Sequence, residues 1–248
     1  MNILVYGVFN WDKNTLTKEY KDHCREWYDR IIKNIPYIKK VFVATGSYSD
    51  PEISPLPSTV PIIQNGVKYT IPYTNNHNYF KNGFLTGIWH CLLNEKDWDI
   101  LIHVQSRVLI GDPLIKEIDT FYTRQEQIMA ASLIGTAGMS IEQSFICMKP
   151  LAAQKYCTNH QRPSFTSDDK YTLNCEEEVY WMFHNTWYNP WPHIITTRQL
   201  DHTNGQYYYY MSPFSIQQLS DYKKLPFIST GYHAHPDFIQ SWKDAHPC

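Results

Sequence analysis

Glycine is scarce, with 10 residues in a chain of 248. The glycine-dependent fingerprints are accordingly missing: no G-x-G-x-x-G follows an apolar run, and neither G-x-x-x-x-G-K-[ST] nor G-x-S-x-G occurs. Dinucleotide-binding, P-loop and serine-hydrolase readings lose their main support. Charge of one sign is also absent. The 22 basic and 24 acidic side chains leave a net charge of −2, with no block of five or six like charges, so no extended basic surface for nucleic acid is advertised. The six cysteines (Cys24, Cys91, Cys147, Cys157, Cys175, Cys248) include no C-x-x-C pair, which predicts free thiols in a reducing compartment. No run of 18 apolar residues exists to span a bilayer, and the opening apolar run lacks a basic flank and a small-residue cleavage site. A soluble, cytoplasmic protein is expected. H-E-x-x-H is missing too. Of the 11 histidines, only His233-Ala234-His235 stand close enough to share a metal, a zinc with a cysteine for instance, and as surface imidazoles they need none.

What is present is core material. Hydrophobic residues make up 43% and charged residues 19%, with 8 Trp, 19 Tyr and 11 Phe, a composition that excludes disorder, collagen and coiled coil as the dominant state. Ile3 to Phe9 is a short continuous apolar run, the pattern of a strand buried on both faces. Leu16, Tyr20, Cys24, Trp27 and Ile31 then recur at helical intervals until Pro36, and Val41 to Ala44 forms a second buried strand. Strand, helix, strand predicts a right-handed crossover with the two strands parallel. A proline- and serine-rich loop over 48–60 and a short edge strand at Val60 to Ile63 follow. Phe80, Phe84, Ile88, Cys91 and Leu92 mark another helix, and Ile100 to Val104 another strand. Val108 to Ile110 continues beyond a polar interruption, Pro113 to Phe121 suits a helix begun by Asp112, and Ile128 to Ile134 and Ser144 to Met148 suit strands before a helix from Pro150. Alternation of this kind predicts an α/β fold. In the last third helical periodicity fades and aromatics gather, including Trp181, Trp187, Trp191 and Tyr207 to Tyr210, the material of a cleft wall. No Gly/Ser-rich linker separates the parts, so residues 1–248 are expected to form one domain.

Three segments carry a resemblance. Lys40 to Asp50 resembles the second strand and turn of GT-A-fold glycosyltransferases, with Ala44-Thr45 where an acidic pair often stands. Asn78 to Gly87 is similar to the polar segment that opens a helix near the donor in that family. Asp97 to Asp112 resembles the strand, metal motif and second short strand, with Gln105-Ser106-Arg107 at the place of the family's Asp-x-Asp. The likeness covers residues 1–185. It implies a GT-A-like single domain with a mostly parallel central sheet, a Rossmann-like nucleotide-binding half (1–110) and an acceptor-side half (111–248) ending in the aromatic wall.

The implied activity is transfer of a sugar from a nucleotide-sugar donor to a hydroxyl acceptor, a glycan by resemblance. Val8, Phe9 and Thr45 would meet the base, and Gln105, Ser106, Arg107 and Lys81 the phosphates. Taken by itself, Lys81 reads as a helix-surface lysine. No Mg²⁺ or Mn²⁺ is expected at Gln105-Ser106-Arg107, because that tripeptide has no carboxylate for a hard cation, whereas a guanidinium can grip a diphosphate with a bidentate fork. In inverting members an acidic residue at the start of a later helix acts as base. Glu177 matches that place, with Glu176 as alternate and Asp168-Asp169 third, although Asn174 and Glu177 also fit a capping box. The rival reading is a GT-A-like protein that binds a nucleotide or glycan without turning it over.

Overall fold

The computed structural model describes residues 1–9, 18–45, 88, 91–92, 95–135, 138–159, 193–201, 206–211, 223–230 and 236–248. The N-terminal apolar run forms β1 (Ile3–Phe9), and the stripe after it forms α1 (Lys18–Asn34). Cys24, Trp27 and Ile31 face the sheet with at most 1% of their surface exposed. Burying a side chain of that kind contributes about 1.5–3 kcal/mol, so this one face anchors the helix. After α1 the chain reverses at Tyr37, whose φ of 55° lies in the left-handed region. The Ile3 N–H donates to the Tyr37 carbonyl at 3.0 Å, which seats the turn beside the start of β1. β2 (Ile38–Thr45) then runs parallel to β1, from Ile3 opposite Ile38 to Phe9 opposite Thr45.

β3 (Ile100–Gln105) lies on the other side of β1, also parallel, with Val8 opposite Gln105. The three strands expected to be neighbours in one parallel arrangement therefore are. β4 (Val108–Ile110), α2 (Pro113–Thr123), β5 (Ile128–Gly135), β6 (Gly138–Met148), α3 (Pro150–Asn159), β7 (His193–Asp201), β8 (Gln206–Met211), β9 (Phe227–Ser229) and α4 (Pro236–Ala245) follow in order. The main sheet reads β2-β1-β3-β6-β5-β7-β8. β1 pairs in parallel with β2 and β3, as β5 does with β7, while β6 is antiparallel to both its neighbours and β8 to β7. Five of the seven strands thus run one way, a mostly parallel mixed sheet of α/β class.

Alternation along the strands divides the core into two layers. Ile3, Val5, Ile100, Ile102, Val104, Phe145 and Cys147 join Trp27, Ile31 and the residues of β4, α2, β9 and α4 in one continuous cluster. Leu4, Tyr6, Leu101, His103, Ile146 and Met148 alternate with them and belong to the opposite face. Ile88, Cys91, Ala152, Ala153 and Tyr156 are also buried. Ile88, Cys91 and Leu92 are helical, as their spacing predicts.

Three features depart from the sequence-based expectation. Val108 to Ile110 does not extend β3: the turn at Ser106 and Arg107 carries the chain out of the main sheet, and β4 pairs antiparallel with β9 in a sheet of two strands. Asp112 precedes α2 without capping it. Its backbone is already helical (φ −58°, ψ −30°), and its carboxylate is taken by His246 instead. Among the described residues, the aromatic-rich last third holds three strands and a helix: Tyr207 to Tyr210 are the body of β8, and α4 buries Trp242 completely. Trp181, Trp187 and Trp191 lie outside the described residues, as do the 48–60 loop and the edge strand expected after it. The described cysteines Cys24, Cys91, Cys147 and Cys248 are free thiols. Among the described residues, no helix is long and apolar enough to cross a membrane.

Candidate functional site

The chain passes from β1 to β2 on one side and returns to β3 on the other, so the order of connections reverses around β1. In open α/β sheets such a switch point leaves a crevice beyond the carboxyl ends of the strands, because the flanking connections diverge to opposite faces. Strand register brings four of the expected site positions to this edge: Phe9 is opposite Thr45, and Val8 is opposite Gln105. Ser106 and Arg107 form the turn immediately beyond. Lys81, Glu176 and Glu177 lie outside the described residues, together with Asp168, Asp169, His233 and His235.

The turn is fastened by three consecutive carbonyls. Trp27 donates its indole N–H to the Gln105 carbonyl at 3.2 Å. One turn earlier on α1, His23 donates from Nε2 to the Ser106 carbonyl at 2.6 Å. A carbonyl can only accept, which assigns the Nε2–H tautomer to the imidazole. The Arg107 carbonyl accepts twice from Thr230, from its backbone N–H at 2.7 Å and its hydroxyl at 3.0 Å. Removal from water holds the His23 pKa below the ordinary histidine value, against smaller raising effects from the Ser106 carbonyl and Glu26.

Members of the resembling family that carry Asp-x-Asp hold a divalent cation on its carboxylates. The donor set of this turn does not fit such an ion: its side chains are an amide, a hydroxyl and a guanidinium, and its three carbonyls are already engaged by Trp27, His23 and Thr230. Hydrogen-bond donors prevail, which suits an anion. Gln105 is buried, whereas Ser106 and Arg107 are partly exposed.

One polar residue close to the edge gave no sequence signal. His103 stands opposite Tyr6 on adjacent strands, with the two rings 5.8 Å apart. It is two residues before Gln105 and on the same face of β3, whose other four residues are apolar. Burial lowers its pKa to about 3, opposed only in part by a hydrogen bond with the Tyr6 backbone, so the imidazole is neutral at physiological pH. It supplies polarity under the edge and no charge. His23 and Trp27 were equally unmarked: Trp27 is visible in the sequence as a core residue of the α1 stripe, and His23 sits beside that stripe.

No family model matches the sequence, and no curated protein matches it. Among solved structures, the chain is similar to a glycosyltransferase involved in the glycosylation of the major capsid of PBCV-1, with a TM-score of 0.50 at 11% identity over 98% of each chain. The 4-diphosphocytidyl-2C-methyl-D-erythritol synthase of Anaerococcus prevotii matches with a TM-score of 0.48 at 8% identity, over 98% of this chain and 95% of that one. Mouse xyloside xylosyltransferase 1 in its apo form matches with a TM-score of 0.40 at 9% identity, over 66% of this chain and 71% of that one. At such identities a likeness speaks for fold alone. The mixed α/β architecture with its mostly parallel central sheet is GT-A-like.

Proposed function

We propose that this chain is a glycosyltransferase that receives a nucleotide-sugar at the carboxyl edge of β1 and β3 and passes the sugar to a hydroxyl acceptor, without a divalent metal at the Gln105-Ser106-Arg107 turn. The observation that carries the proposal is the donor-rich turn, its carbonyls all engaged within the protein, at the switch point of a GT-A-like sheet. The GT-A-like fold, shared at 11% identity with a glycosyltransferase involved in the glycosylation of the major capsid of PBCV-1, is a scaffold consistent with sugar transfer.

In this proposal Arg107 meets the diphosphate and offsets the negative charge that grows on the departing nucleotide, the part a metal plays elsewhere. Gln105 and Ser106 add neutral donors. The base lies over Val8, Phe9 and Thr45, and Lys81 gives a second phosphate contact. Glu177, or Glu176 beside it, takes the proton of the acceptor hydroxyl as its oxygen attacks the anomeric carbon and the nucleoside diphosphate leaves.

The test is calorimetric titration of nucleoside diphosphates into wild type and Arg107→Ala, with and without chelator. A charge-assisted hydrogen bond contributes about 1.5–3 kcal/mol, so the variant should bind about 10- to 150-fold more weakly. Arg107→Lys should recover part of the loss, and chelator should change neither binding nor turnover. Equal binding by Arg107→Ala, or activity that vanishes on chelation and returns with Mn²⁺, refutes the role given to Arg107. A second reading, binding of a nucleotide or glycan without transfer, is favoured by the absence of any carboxylate from the turn; binding without hydrolysis or transfer of any nucleotide-sugar would establish it.

A further inference from the structure

We propose that His23 is a positioning residue for the donor turn, its Nε2–H holding the Ser106 carbonyl so that Arg107 is presented to a nucleoside diphosphate in one fixed orientation. The inference rests on the site assignment above and adds to it a residue from a different element, with no need to touch the ligand.

The peptide group is planar and trans, so a carbonyl turned toward one side sends the following N–H to the other. The Ser106 carbonyl is held toward α1 by His23 at 2.6 Å, and the Gln105 carbonyl by Trp27 at 3.2 Å. The N–H groups of Ser106 and Arg107 are thereby both directed away from α1. Thr230 fastens the next plane through the Arg107 carbonyl. Three successive planes are set, which leaves the Cα position of Arg107 and the direction of its side-chain bond little freedom.

The three anchors are not equivalent. Trp27 is a fully buried member of the core, so its loss would remove packing as well as a hydrogen bond. The Thr230 hydroxyl repeats a contact that its own backbone N–H already makes. His23, which donates to the Ser106 carbonyl, is a side chain at the margin of the core, partly exposed and outside the apolar cluster. Removing its donor frees the central plane of the turn while the apolar stripe stays in place. Phenylalanine keeps a ring of similar outline and has no donor; glutamine has an N–H donor at similar reach.

The experiment titrates UDP, GDP, CDP and ADP, and the matching monophosphates, into wild type, His23→Phe and His23→Gln, with thermal unfolding of each protein recorded alongside. Loss of one net hydrogen bond's worth of preorganisation predicts that the preference for diphosphate over monophosphate falls up to about tenfold in His23→Phe and is restored in His23→Gln. A role confined to stability would shift the melting temperature and leave that ratio alone. An unchanged ratio in His23→Phe, or His23→Gln behaving like His23→Phe, overturns the positioning role while the nucleotide site stands. Absence of binding to all four diphosphates by wild type overturns both. Should His23→Phe not fold, ¹⁵N spectroscopy of the wild-type imidazole decides: an Nε2–H tautomer is required, and an Nδ1–H tautomer refutes the proposal.

Discussion

Gly111→Ala tests the packing where the chain leaves β4 for α2, and its cost follows from the geometry. An added Cβ at residue 111 would stand 2.8 Å from Cζ2 of Trp242, 3.2 Å from Cγ of His246 and 3.3 Å from its Nδ1. Carbon atoms pack comfortably at about 3.5–4.0 Å, so a neighbour must move. Neither neighbour can move cheaply. The Trp242 indole is fully buried, its Nε1–H donates to the Leu225 carbonyl at 3.0 Å, and the Arg30 guanidinium lies 5.1 Å above the ring. His246 is held on both sides, by the Asp112 carboxylate at Nδ1 and by the Lys223 carbonyl, 2.6 Å from Nε2. Forcing a methyl into such a contact costs about 1–3 kcal/mol. At about 2–4 °C per kcal/mol for a chain of this size, the melting temperature should fall by about 2–12 °C, read by circular dichroism. Trp242→Phe removes the clashing atom, so Gly111→Ala in that background should cost at least about 0.5 kcal/mol less, a coupling only contacting residues show. A Gly111→Ala protein within about 0.5 kcal/mol of wild type would refute this account of how α4 seats against β4.

Arg30 is buried and ties α1 to the C-terminal helix: it pairs with Glu26 at 2.9 Å and donates to the His246 carbonyl at 2.6 Å. Arg30→Ala should cost about 2–3 kcal/mol in urea unfolding, below the about 3–5 kcal/mol of a fully orphaned buried charge because Lys243 remains 2.6 Å from Glu26; a loss under about 1 kcal/mol would contradict it. Acid should destabilise the fold from about pH 6.5 downward. The folded pKa of His103, about 3, lies below its unfolded value, so the unfolded chain takes up a proton the folded chain refuses, and stability is lost progressively until about pH 3. His23 is shifted in the same direction and adds to the slope. One such group contributes about 1.4 kcal/mol per pH unit inside that window, so His103→Asn should flatten the fall in urea midpoint between pH 6.5 and 5, and an unchanged slope would count against it.

The first half of the fold was legible for a physical reason. Strands covered on both faces need uninterrupted apolar runs, which Ile3 to Phe9 and Ile100 to Val104 supply, and a helix lying on a sheet needs the stripe that Cys24, Trp27 and Ile31 form. Parallel order followed from strand, helix, strand, and with it the meeting of Val8, Thr45 and Gln105 at one edge. The second half was less legible. β4 continues the apolar pattern of β3, and nothing in Val108 to Ile110 reveals that its partner is β9, more than a hundred residues later. α4 spans only Pro236–Ala245, and its signal was brief: a proline at the start and Phe238, Ile239 and Trp242 on one face. Asp112 carried the residue type of a cap, yet a tertiary contact with His246 took its carboxylate. His23 and Trp27 could be placed on α1 but not against the turn, since hydrophobic period reports which face of a helix is buried and not how far the helix slides along the strand beneath.

That slide decides the chemistry of the edge. In a strand, helix, strand unit the helix runs opposite to the strands, so later helix residues meet earlier strand residues, and the contacts obey this order: Trp27 reaches Gln105 and His23 reaches Ser106. A helix advances 1.5 Å per residue and a strand about 3.3 Å, so the 6 Å between His23 and Trp27 spans about two strand residues, enough to serve adjacent carbonyls once the chain begins to turn. Thr230 meets the third carbonyl because β9 pairs with β4, and that pairing exists because the turn leaves the main sheet. The same departure that ends β3 therefore brings in the donor that fastens it. A turn fastened before any ligand arrives avoids the ordering cost that a mobile loop would meet on binding. Its three carbonyls are engaged inside the protein, by Trp27, His23 and Thr230. In the proposed site, the exclusion of a cation would thus depend on how α1 and β9 are seated as much as on the three residues themselves.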